Sequence, residues 1–99
     1  MGWPRSISEA LSLSLEELAP CGDFGGVMMS MMTDGHPSSE IDNLLATQLT
    51  DNPRTYKAFN VSSLGNIARI IVSGKNSRLV SRAQVIYDNY KRWYKESNE

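Results

Sequence analysis

The stretch SLGNIARIIVSGKNSRLVSRA, residues 63–83, contains two apolar stripes at helical spacing, and a turn separates them. Before the turn, apolar residues recur every three or four positions, as on one face of an α-helix: Leu64, Ile67, Ala68 and Ile71. After the turn, a longer stripe continues beyond the quoted stretch: Leu79, Ala83, Ile86, Tyr90 and Trp93, widened by Val80, Tyr87 and Tyr94. The spacing therefore predicts two consecutive helices whose apolar faces form a core.

Capping residues predict where these two helices begin and end. Ser62 or Ser63 suits the N-cap of the first helix, and Gly74 suits a left-handed C-terminal stop. The second helix is predicted from about Ser77 to Lys95. Residues 68–73 also have strand propensity, but no partner strand is evident.

The N-terminal segment predicts one more helix. Ser6-Ile7-Ser8-Glu9 has the form of a capping box, in which a serine hydroxyl and a glutamate three residues later satisfy each other's backbone N–H groups. The apolar residues that follow at helical spacing are Ile7, Leu11, Leu15 and Leu18. Pro20 is expected to end this helix, and residues 20–26 are expected to form a turn.

The middle of the chain predicts three shorter helices. Residues 27–32 include four methionines and are interpreted as a short buried helix, with a dimer interface as the alternative. Ser38 or Ser39 is expected to cap a second helix, with one apolar face: Ile41, Leu44, Leu45 and Leu49. Asn52 and Pro53 suit the N-cap and first position of a third, which ends near Phe59. We therefore expect an all-α fold, a small orthogonal bundle of about five helices.

Charge is divided unevenly along this chain of 99 residues, whose length predicts a single domain over residues 1–99. Residues 1–51, the acidic half, carry one basic and eight acidic side chains, a net charge of −7. Residues 52–99, the basic half, carry nine basic and three acidic side chains, a net charge of +6. Such asymmetry favours a polyanion as partner of the basic half or head-to-tail self-association, although the halves could also neutralise each other within the fold.

Cysteine usage and hydropathy predict a cytoplasmic protein. With Cys21 as the one cysteine, no internal disulfide can form, which favours a reducing compartment. No apolar run approaches the roughly 20 residues that a membrane-spanning helix needs, so we expect no membrane partner.

The residues that carry enzyme chemistry are sparse. His36 and Cys21 are single residues of their types, whereas a zinc site needs three or four ligands, so we expect no metal site. A nucleophilic pair of these two residues has no supporting feature. The glycine motifs that bind nucleotide phosphates are absent, and no cofactor is expected. The sequence therefore predicts a protein that binds rather than catalyses.

Residues 63–83 resemble the helix-turn-helix unit of sigma-factor-like and phage regulatory proteins. The resemblance is carried by a small residue, Ala68, between apolar neighbours in the first helix, by the turn, and by serine and arginine at the start of the second helix. The connection from Ile71 to Leu79 is about two residues longer than in the tight form of the motif. The resemblance implies a C-terminal helix-turn-helix-like hairpin that binds duplex DNA; an αα-hairpin with solvated side chains is the alternative.

The resemblance also implies the site residues of a small, non-catalytic regulator of transcription. The expected DNA contacts are Lys75, Asn76, Ser77, Arg78, Ser81 and Arg82, with secondary phosphate contacts from Arg69, Lys91 and Arg92. A homodimer or other oligomer is expected because one such unit reads few base pairs, and the acidic half is the expected surface for dimerisation or a protein partner. The alternative function is a protein–protein adaptor or a structural oligomer subunit, of phage or viral type, whose acidic and basic halves associate.

Overall fold

The described part of the chain is built from helices and turns. The computed structural model describes residues 4–23, 37–47 and 49–97, and all of the regular structure in these residues is helical. In chain order the elements are α1 (Ile7–Ser12), α2 (Leu15–Leu18), a 3-10 helix (Ala19–Cys21), α3 (Ser38–Thr47), α4 (Pro53–Tyr56), α5 (Val61–Ser73) and α6 (Ser77–Ser97). The predicted all-α class is confirmed. The predicted helix over residues 27–32 lies outside the described residues, as does His36.

The N-terminal segment corrects the prediction of one helix up to Pro20. Helix α1 ends at Ser12 because Leu13 is extended, and α2 then begins after a second capping box, in which Ser14 and Glu17 satisfy each other's backbone N–H groups. Pro20 lies inside the 3-10 helix. The expected box at Ser6 forms in part, since its hydroxyl accepts from the Glu9 N–H at 3.2 Å but the Glu9 carboxylate accepts from the Arg5 N–H.

Most of the other predicted boundaries agree with the structure to within a few residues. Asn52 caps α4 with Pro53 in its first turn, although that helix is shorter than expected. Gly74 ends α5 in the left-handed conformation, with φ of 62°. The cap of α5 is Asn60 and not Ser62 or Ser63; Ser63 is its capping-box partner. Helix α3 already begins at Ser38, immediately after Pro37, so neither predicted serine precedes it.

Helix α5 lies at the centre of the described structure. It packs against α6, α2, the 3-10 helix and α1, while α3 and α4 pack against α6. Every helix except the terminal turns of α6 contributes to one apolar core, whose most deeply buried members are Ala10, Leu18, Leu64, Ala68, Ile70, Leu79, Ala83 and Ile86. The stripes of α5 and α6 predicted from residues 63–83 therefore do form the core, and the opposite face of α6 is left at the surface.

The C-terminal half of α6 is held by aromatic rings. Tyr56 of α4 makes edge-to-face contacts with Tyr90 and Trp93, at centroid distances of 5.4 and 5.5 Å. Phe59 stacks on Tyr90 at 4.8 Å. The interpretation of Tyr90 and Trp93 as core residues is confirmed, with Trp93 half-buried at its edge. This packing fixes α4 on the distal part of α6 and leaves the first turns of α6 for α3.

Candidate nucleic-acid interface

The turn between α5 and α6 is fixed by the backbone and by one buried side chain. After Gly74, the Asn76 side chain caps α6: its Oδ1 accepts from the backbone N–H groups of Arg78 and Leu79, at 3.1 and 3.2 Å. Asn76 is only 4% exposed. Its predicted contact with a DNA base would therefore require this cap to open, and its structural role is to set where α6 begins.

The other residues predicted at the start of α6 share one surface. Lys75, Ser77, Arg78 and Ser81 are exposed, and Arg82 is half-buried. We call these five residues the basic face. Ser77, Arg78, Ser81 and Arg82 lie together because Leu79, Ala83 and Ile86 turn the opposite side of α6 into the core, and residues spaced by four lie on one side of a helix. Lys75 precedes them in the turn before α6.

The basic face borders a shallow, open groove between α6 and α3. The groove has a volume of about 460 Å³ and is lined by Leu45, Ser77, Arg78, Ser81, Arg82 and Val85. Four of its six lining residues belong to the basic face. The other two, Leu45 and Val85, give it an apolar component that the sequence prediction did not include.

Two arginines of the basic face have partners in the acidic half. The Arg78 guanidinium forms an ion pair with the Asp42 carboxylate of α3, and both side chains are exposed, by 47% and 59%. The Arg82 Nε donates to the backbone carbonyl of Leu49 at 3.0 Å. An exposed ion pair contributes at most about 1 kcal/mol, so a phosphate or a base edge can replace Asp42 at low cost.

Arg69, predicted as a phosphate contact, is engaged elsewhere. Its Nε and Nη2 donate to the carbonyls of Ala19 and Gly22, at 3.3 and 3.2 Å, and so tie α5 to the end of the 3-10 helix. Asn66, one turn earlier, exchanges hydrogen bonds with Asp23. The contact that Arg69 makes is structural, because it satisfies carbonyls at a helix end.

Lys91 and Arg92 are exposed but distant from the basic face. They follow Arg78 by 13 and 14 residues, which corresponds to roughly 20 Å along a helix. Arg92 instead lines a second cavity of about 210 Å³, together with residues that include Asp51 and Trp93. The structure thus brings five of the nine predicted site residues together, uses Asn76 and Arg69 in the fold, and separates the last two.

Sequence reasoning missed Asp42, Leu45 and Val85. Val85 could have been found, because it follows Ser81 by four residues and so extends the same exposed side of α6. Asp42 and Leu45 gave no such signal, because their place beside α6 depends on how α3 packs.

Cys21 is buried, and burial raises the pKa of its thiol, which disfavours the reactive thiolate. Within residues 4–23, 37–47 and 49–97, no three metal-binding side chains of the His, Cys, Asp or Glu type lie together.

Across the described part of the chain, no helix has both the length and the apolar composition to cross a membrane. The sequence matches no protein-family model, and neither the curated proteins nor the solved structures include a significant match to it.

Proposed function

We propose that this protein is a small, non-catalytic regulator that binds duplex DNA through the basic face of α6. The observation that carries the proposal is the exposure of Ser77, Arg78 and Ser81 on one side of α6, directly after a turn that contains exposed Lys75. Two packed helices joined by a short turn, with basic and hydroxyl side chains at the start of the second, are the arrangement that inserts a helix into the major groove.

The dimensions and chemistry of this surface suit the major groove. A helix with its side chains is about 10–12 Å across, close to the width of the groove, and the exposed positions from Ser77 to Val85 extend over about 12 Å of its length. Arginine binds guanine O6 and N7 or phosphate, and serine hydroxyls bind either bases or phosphates. The backbone N–H groups of Arg78 and Leu79 are already bound by Asn76, so side chains must supply most of the contacts.

The test is a fluorescence-anisotropy titration of the full chain with duplex DNA at two salt concentrations. We expect binding that weakens steeply with salt, because each phosphate contact releases counterions. Arg78→Ala should weaken binding by about 1–3 kcal/mol if the guanidinium binds guanine, or lower the logarithmic salt slope by about one if it binds phosphate.

Arg54→Ala is the matched control for this experiment. It removes the same charge from an exposed arginine on α4, which packs on the aromatic half of α6 and not on its basic face. We expect it to bind DNA nearly as well as the wild type. If the folded protein binds no duplex at low salt, or if Arg54→Ala loses as much affinity as Arg78→Ala, the adaptor or oligomer-subunit function becomes the better proposal.

A further inference from the structure

Val85 is a large apolar side chain at the surface of α6, where nothing in the fold requires one. It is 44% exposed, and the one other large apolar residue that is exposed in the described part of the chain is Val72, also at 44%. A β-branched residue on the outside of a helix neither fills the core nor favours helix formation. A single exposed valine is common on protein surfaces, so only its position can indicate a role in binding.

The position of Val85 distinguishes it from Val72. Val85 follows Ser81 by four residues and Ser77 by eight, and it lines the same groove as the basic face. Half-buried Leu45 of α3 lines that groove too, which places apolar surface among the arginines and serines. Val72, on α5, does not line the groove. A ligand bound to this groove through the arginines and serines would therefore also meet an apolar surface.

Resting on the proposed function, we propose that Val85 is a specificity-determining residue that contacts the C5-methyl group of a thymine in the major groove. That methyl group is the apolar feature that base pairs present in the major groove, and it separates thymine from every other base there. Val85 lies seven residues beyond Arg78, about 10 Å along the helix, so the thymine lies within about three base pairs of the position next to Arg78.

The experiment removes the methyl group from the DNA and the valine from the protein, separately and together. Duplexes enriched from a randomised library by the full chain are resynthesised with deoxyuridine in place of one thymidine at a time, because uracil differs from thymine by that methyl group alone. For the wild type, one replacement should weaken binding about fourfold, the effect of leaving one methyl-sized group unburied. For Val85→Ala the same replacement should have little effect.

Val72→Ala is the matched control, since it truncates an equally exposed valine outside the groove. It should keep the full response to uracil, and circular dichroism should show both variants folded. The inference is overturned by enriched duplexes without thymine, by equal binding of thymine and uracil at every position, or by a uracil response that persists in Val85→Ala. A folded wild type that binds no duplex overturns the proposed function instead, and the inference with it.

Discussion

At the scale of the residue, Gly65 allows a close approach between the backbones of α5 and the segment that ends the 3-10 helix. This glycine lies inside α5 where the helix meets the end of the 3-10 helix. A Cβ atom on Gly65 would lie 2.4 Å from the Gly22 nitrogen and 2.5 Å from the Cys21 carbonyl carbon. Both atoms belong to a backbone segment that is held by two hydrogen bonds, from Arg69 to the Gly22 carbonyl and from the Asp23 N–H to Asn66, so they cannot move aside cheaply.

We therefore expect Gly65→Ala to lower the free energy of unfolding by about 1–3 kcal/mol, the usual effect of overpacking. The direction of this change in unfolding free energy is informative, because alanine in place of glycine inside a helix without such a contact would stabilise the helix by about 1 kcal/mol. Urea denaturation followed by circular dichroism measures the difference. Val72→Ala, on the exposed side of the same helix, should change stability by no more than about 0.5 kcal/mol. A Gly65→Ala variant as stable as the wild type would contradict this close approach.

If the basic face binds DNA as proposed, Asp42 is the residue that competes with DNA for Arg78. Its carboxylate pairs with the Arg78 guanidinium, which the proposed function assigns to DNA. Since the exposed pair is worth at most about 1 kcal/mol, Asp42→Asn should strengthen duplex binding about two- to fivefold in the anisotropy titration. Glu16→Gln, which removes the same charge from exposed Glu16 on α2, should have a smaller effect. Equal effects of the two variants would mean that only net charge matters.

At the scale of the element, the start of α6 depends on one side chain. Asn76 was predicted as a DNA contact, but it is buried and caps the helix that carries the basic face. Loss of an N-cap costs about 1 kcal/mol, so Asn76→Ala should lower the urea midpoint, whereas Asn76→Ser, which can still cap, should lower it less. An Asn76→Ala variant that keeps full stability but loses DNA binding would restore the predicted role as a contact.

The helices were predictable to the extent that their ends are encoded locally. Asn52, Gly74 and the long stripe of α6 were read correctly because caps and helical periodicity are short-range properties. The break between α1 and α2 was missed because the apolar stripe continues across it, and periodicity alone does not reveal the competing capping box at Ser14. Asn60 was missed because two serines nearby offered equally good caps.

The contact between α4 and α6 should make stability sensitive to alkaline pH. Burial and the hydrogen bond that the Tyr56 hydroxyl donates to Asp51 raise the pKa of Tyr56 well above its usual value of about 10. Burial also raises the pKa of Tyr87 and of Tyr90. Because the folded state favours the neutral phenols, these three tyrosines contribute fully to stability below about pH 10. Their contribution is lost as the pH rises through the pKa values that they have in the folded state.

Thermal unfolding followed by circular dichroism should therefore show a melting temperature that falls above about pH 10. Tyr56→Phe keeps the ring contacts but removes the ionisable group and the hydrogen bond to Asp51. This variant should be less stable by about 1 kcal/mol at neutral pH and should lose stability less steeply in alkali. An equally steep loss in the variant would show that Tyr56 does not carry the effect.

At the scale of the whole molecule, residues of the acidic half contact residues of the basic half within one copy of the chain. Asp42 of the acidic half pairs with Arg78 of the basic half, and the Asn89 amide donates to the Asp51 carboxylate at 2.6 Å. The Arg82 guanidinium reaches the Leu49 carbonyl across the same boundary. The candidate site was predictable from sequence where it consists of consecutive turns of α6. It was not predictable where α3 contributes, because only tertiary packing brings Asp42 there.

The last prediction concerns the number of copies on DNA. The exposed face from Ser77 to Val85 is about 12 Å long and covers about three to four base pairs, too few to define a site in a genome. We therefore expect two copies on each enriched duplex, at half-sites about 34–36 Å apart, as a two-fold symmetric pair requires. Sedimentation of the complex should give two chains for each duplex, and moving the half-sites by half a helical turn should weaken binding.

Sedimentation of the free protein distinguishes the two-fold pair on DNA from head-to-tail association of the acidic and basic halves. Exposed charge pairs between copies are screened by salt, so association through the acidic and basic halves would make the mass rise with protein concentration and fall with salt. The two-fold pair expected on DNA does not join the acidic half of one copy to the basic half of the next, so for this arrangement we expect the mass of the free protein to be insensitive to salt. A salt-dependent series of growing masses would instead identify the two halves as complementary surfaces of an oligomer subunit, with the basic face of α6 buried between copies and closed to DNA.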